Sequence, residues 1–141
     1  MLIPLEQTIT LDEIFYTKEH DWVRFCDTVS YIGIARFKLT GIRKIDDITL
    51  FDYKNSDKIE VGAILLNLHY KDYIIPMHAP ITCTFLEINP VIKEGLWELI
   101  VKDPEGDGWL FKVAPKHRKN GYLLHPSFYQ TRIPAGSTIQ S

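Results

Sequence analysis

The chain has 141 residues, 45% of them apolar and 12% aromatic, which suits one domain with a real core. Its 16 basic and 18 acidic side chains leave a net charge of −2, giving no basic footprint for nucleic acid and no long-range steering field. No window approaches the roughly 18 consecutive apolar residues that a membrane helix needs, and the opening MLIPLEQTITLDE has no basic segment and meets Glu6 too early for a secretory signal.

Strand-like runs dominate the chain. Residues 21–25 (DWVRF) and 28–34 (TVSYIGI) flank Cys26 and Asp27, a short turn, and read as a hairpin. Residues 35–44 (ARFKLTGIRK) have a weak helical spacing, interrupted by Gly41. Residues 48–53 are strand-like, and 54–58 (KNSDK) form a turn cluster. Residues 59–61 lead into 62–80 (GAILLNLHYKDYIIPMHAP), which reads as two apolar strands folded back on each other. Their polar tip holds one amine, Lys71, followed by Asp72.

Residues 81–88 (ITCTFLEI) are rich in β-formers and end before Pro90. Residues 95–102 (GLWELIVK) suit one or two helical turns, 103–108 (DPEGDG) a loop, and 109–113 (WLFKV) a last strand. After Pro115 no regular pattern continues. Residues 116–119 (KHRK) are a short basic run that reads as a solvated face or a tail contact, and from about residue 131 the chain reads as a loosely held tail. Many short strands with few helices predict a mainly β fold, a small sandwich or barrel.

Few side chains invite chemistry. Cys26 and Cys83 are too few for a disulfide framework, and each lies in an apolar run, as a small buried thiol does. They fit a reduced, cytoplasmic setting. His69 and His78 are spaced to face each other across the hairpin, but no third or fourth ligand follows, so no metal site is expected. Cys83 with His78 suggests a nucleophile and base without an orienting third residue. His20 reads as a structural histidine near Trp22, since no nucleophile is spaced to partner it.

Three segments carry a resemblance: residues 16–23 (YTKEHDWV), 97–104 (WELIVKDP) and 106–113 (GDGWLFKV). Their order and spacing resemble the glycine cleavage system H protein family, over residues 14–114. The divisions this implies are an N-terminal extension (1–13), the H-protein-like domain (14–114) and a C-terminal extension (115–141). The resemblance implies a two-sheet β sandwich, or barrel-sandwich hybrid, of the lipoyl/biotinyl type with one or two short helices. It also implies a carrier that is not itself an enzyme, with a lipoyl group joined as an amide to one lysine. Such a protein accepts an aminomethyl group from the glycine decarboxylase, presents it to the aminomethyltransferase and is reoxidised by lipoamide dehydrogenase. A lipoate ligase is a further implied partner. The cofactor supplies the chemistry and the protein supplies reach and orientation.

The chain departs from that family where it matters most. Gly62 and the Ala79–Pro80 pair match the anchors that bracket the family's lysine tip. Counting from either anchor places Asp72 at the lysine position, with Lys71 one residue before it. A single step in a strand reverses side-chain direction, although turn residues splay outward. The flanking residues His69, Tyr70 and Tyr73 replace an acidic residue and two small ones, and the segment 42–47 (IRKIDD) lacks the family's glycine. Two functional readings follow. One is an unlipoylated or atypical relative that still binds glycine-cleavage-type enzymes; the other is a working lipoyl carrier modified on Lys71.

Overall fold

The computed structural model describes residues 13–117, 123–131 and 133. The expected N-terminal extension is described only at Glu13, and the expected tail only at residues 131 and 133. Among the described residues nine strands run β1 (Glu13–Tyr16), β2 (Asp21–Cys26), β3 (Val29–Ile34), β4 (Asp47–Leu50), β5 (Lys58–Ile59), β6 (Ile64–Tyr70), β7 (Tyr73–His78), β8 (Cys83–Ile88) and β9 (Phe111–Pro115). A 3-10 turn spans Arg36–Leu39, and three short helices are α1 (Pro90–Lys93), α2 (Glu98–Lys102) and α3 (Pro126–Gln130).

The strands form two antiparallel sheets, one ordered β1-β2-β3-β9-β8-β5 and the other β4-β6-β7. The core lies between them, because alternate residues of each strand point inward. The large sheet contributes Val23, Phe25, Ile32, Ile34, Phe85 and Val113, and the small sheet Leu66, Leu68 and Met77, all buried. Register explains the alternation in the small sheet. Leu50, Leu66 and Met77 are cross-strand partners, while Thr49, Asn67 and Pro76 form the adjacent row. This is the mainly β, two-sheet architecture expected from the sequence, and the described strands do not close into a barrel.

Local differences have local causes. The first hairpin turns on Asp27 and Thr28 rather than on Cys26 and Asp27, and Asp27 takes φ 52, a left-handed value that aspartate tolerates. The helical spacing over 35–44 yields only the 3-10 turn, and Gly41 follows it at φ 85, where the chain turns away. The last strand starts two residues later than its apolar run, and β4 stops at Leu50. Pro90 both ends the run of β-formers and opens α1, capped by the Asn89 side chain accepting from the Val91 N–H.

Two elements carry little sequence signal. The four-residue β1 pairs with β2 but sits at the head of the YTKEHDWV segment, where no alternation is visible. Beyond β9, Leu124 bridges Tyr16, and α3 brings Tyr129 into a buried stack on the Tyr16 ring, with centroids 4.1 Å apart.

Candidate functional site: the tip of the second hairpin

Strands β6 and β7 pair from Ile64↔His78 to Tyr70↔Tyr73, leaving Lys71 and Asp72 as the two turn residues. Both are exposed. Lys71 takes φ 54, and its amide N–H donates to the Asp46 carboxylate at 2.7 Å. The Asp46 N–H in turn donates to the His69 carbonyl at 2.8 Å, so the residue just before β4 grips the tip from one side. The Lys71 ammonium lies 5.2 Å from the centre of the Tyr70 ring. No described residue forms an ion pair with it. Tyr73 and Ile74, at the start of β7, are 68% and 60% exposed.

The other candidates separate. His69 pairs with Ile74 and His78 with Ile64, so the two histidines occupy different ends of the hairpin instead of facing each other. His69 bonds to the Thr49 hydroxyl at 2.7 Å. Among the described residues no group of three or more His, Cys, Asp or Glu is placed to hold a metal ion. Cys83 is buried, and burial pushes its thiol up to about 12, which leaves no thiolate for attack near neutral pH. His20 is held by the Tyr129 hydroxyl, 2.7 Å from its Nδ1, and by the Phe37 ring, rather than by Trp22. Burial and then Lys38 hold its pKa below the ordinary value.

A polar cluster that sequence reasoning missed closes the far end of the hairpin. Asp21 is fully buried and accepts from the Lys38 ammonium at 2.7 Å and from the His78 N–H at 3.0 Å. The Lys38 ammonium also donates to the Pro76 carbonyl at 2.8 Å. Beside it, the Tyr16 hydroxyl donates to Glu105 at 2.6 Å, and the other Glu105 oxygen accepts from the Arg36 N–H at 2.8 Å. Asp21 lies inside the YTKEHDWV segment, but nothing in its letters shows which of its charges is buried.

The architecture meets its counterpart in comparison with known proteins. The profile described as "Glycine cleavage H-protein" matches residues 14–133. The chain belongs to the glycine cleavage H-protein family. It is 32% identical over 101 residues to the glycine cleavage system H protein of Bacteroides fragilis, covering 71% of this chain and 77% of that one. It is 30% identical over 122 residues to that of Herpetosiphon aurantiacus, covering 86% and 91%. Among solved structures, a glycine cleavage system H protein from Mycobacterium marinum superposes with a TM-score of 0.71 at 20% identity, covering 86% of this chain and 96% of that chain. At that identity the superposition speaks for the fold alone.

H proteins are carriers rather than catalysts, and their cargo group sits on a lysine. The second hairpin of this chain presents a primary amine on an exposed two-residue turn, without an ion pair to any described residue. Among the described residues no helix is long and apolar enough to cross a membrane.

Proposed function

We propose that this chain is a lipoyl carrier of the glycine cleavage system, modified on Lys71, and that it works in the cytoplasm with the decarboxylase, the aminomethyltransferase and lipoamide dehydrogenase. The observation that carries the reading is the exposed Lys71 amine on a two-residue turn. Attachment requires attack by that amine, once deprotonated, on an activated lipoyl donor such as an acyl-adenylate. An amide bond forms, AMP leaves, and the amine's proton passes to solvent. The bound group supplies a redox-active disulfide that takes up and releases a one-carbon amine. The protein's own contribution is mechanical: the paired strands β6 and β7 hold the attachment point away from the core, so the group reaches partner sites without disturbing the fold.

One observation favours a second reading, an unlipoylated relative that binds the same partner enzymes. Asp72 occupies the position at which the anchors Gly62 and Ala79–Pro80 place the family's lysine, and Tyr70 and Tyr73 flank the turn with two rings. A ligase that reads the second turn residue finds no amine there.

Intact mass of the protein from its native host, followed by peptide mapping, separates the two. One lipoyl addition mapped to Lys71 and abolished by Lys71→Arg supports the carrier. An unmodified chain, with Asp72→Lys readily modified by a lipoate ligase in vitro, supports the unlipoylated relative.

A further inference from the structure

The two two-residue hairpin turns among the described residues each place a residue at positive φ in their first position. In the β2–β3 turn it is Asp27, at φ 52, and in the β6–β7 turn it is Lys71, at φ 54. Aspartate, asparagine and glycine enter that region readily, whereas lysine has no short polar side chain to support it. A lysine held in a sparsely populated conformation persists when its surroundings fix it, and such sites concentrate where function needs the geometry. Here the surroundings are Asp46. Its carboxylate accepts the Lys71 N–H at 2.7 Å, and its own N–H is anchored on His69 at 2.8 Å. Asp46 lies in the 42–47 segment, which lacks the glycine of the family pattern, so two departures of this chain touch each other.

We infer that Asp46 is the positioning residue that makes Lys71 a substrate for attachment, by holding it in the left-handed conformation seen at the turn. The inference rests on the carrier reading above. A carboxylate acceptor fixed just before the neighbouring strand β4 pins the Lys71 amide, and with it the direction in which the Cα–Cβ bond leaves the turn. Without that acceptor the turn samples other conformations, and the amine meets the acyl donor less often in the attacking geometry. Misplacement on this scale is enough to slow a positioned reaction by an order of magnitude or more. Asp46 bonds to the backbone N–H of Lys71 and takes no part in the bond-making itself.

The full-length chain, purified without the group, is incubated with a lipoate ligase, lipoic acid and ATP, and its mass is followed with time. Asp46→Ala is expected to lower the initial rate of addition at Lys71 by about tenfold or more, while Asp46→Asn, which keeps an oxygen acceptor, retains most of it. Thermal unfolding of each variant controls for loss of fold. Hydrogen exchange at the Lys71 amide supplies a readout that does not need the ligase: protection present in the parent and Asp46→Asn, and lost in Asp46→Ala, is expected. Equal modification of parent and Asp46→Ala overturns the inference, as does equal Lys71 exchange. Failure of the parent itself to be modified refutes the carrier reading and with it the inference, even if the exchange result holds for the geometry of the turn.

Discussion

Lys38 places its ammonium 2.7 Å from a carboxylate oxygen of Asp21, whose side chain is completely shielded from solvent while that of Lys38 is 15% exposed. The pair joins the two sheets. Asp21 opens β2 in the large sheet, and its second oxygen accepts the His78 N–H at the end of β7 in the small one. Lys38 bridges in the same direction, to the Pro76 carbonyl. Strand β7 lies at the edge of the small sheet, where unpaired backbone groups invite wrong partners. Proline at 76 has no N–H to offer, and Lys38 and Asp21 take up the Pro76 carbonyl and the His78 N–H.

Lys38→Met therefore leaves a buried carboxylate without its cation. Breaking a buried pair from one side costs about 3–5 kcal/mol when the remaining charge stays ionised, so urea unfolding of the variant is compared with the parent at about pH 9, above the raised Asp21 pKa, where a loss approaching this size is expected. A loss below about 1 kcal/mol would match a solvated surface pair and contradict the burial of Asp21.

The same site sets a pH dependence. Burial pushes Asp21 up to about 7 from its ordinary 3.8, against the opposing pull of Lys38 and of the hydrogen bonds from Lys38 and His78. A raised folded-state pKa means that the native chain holds this proton more tightly than the unfolded chain does. The contribution is thus complete below about pH 3.8 and is lost as pH rises through 7. Subtracting the stability profile of Asp21→Asn from that of the parent isolates it. The difference should move against the parent between pH 4 and 7; a difference that is flat, or that moves in the parent's favour, rules out a raised Asp21.

Gly33 sits opposite Trp22 in the β2–β3 pairing, and a Cβ there would lie 2.9 Å from the indole Cζ2 and Nε1. The indole cannot easily yield, being buried with its Nε1–H donating to the Pro104 carbonyl at 2.9 Å. Gly33→Ala should cost about 1–3 kcal/mol through overpacking, read as a lowered melting temperature with quenching or shift of the tryptophan emission. A neutral substitution would mean that the Trp22 ring is free to move.

Cys83 makes a chemical prediction. Its thiol is buried and held up to about 12 by that burial. An alkylating reagent at pH 8 should leave Cys83 unmodified in the native protein and label it once urea unfolds the chain, with mass mapping as the readout. Fast labelling in the folded state would reopen the reading of Cys83 as a nucleophile.

The letters of the chain were enough for the sheet content, the second hairpin and the exposed lysine at its tip. Alternation of apolar residues and the polarity of turns are local signals, set by the side chains of consecutive residues. The family motifs were equally local, runs such as YTKEHDWV and GDGWLFKV that stand in one piece. What the tertiary structure alone decided were pairings between distant residues: Asp21 with Lys38 and His78, His20 with Tyr129, and Lys71 with Asp46. The letters suggested His69 and His78 as facing partners, and the strand register separated them. A charge in a sequence does not announce whether it will be buried, because burial depends on which strand end packs above it. Nor does a lysine announce a left-handed turn. That conformation is imposed by an acceptor 25 residues away along the chain, brought within 2.7 Å by the pairing of β4 with β6.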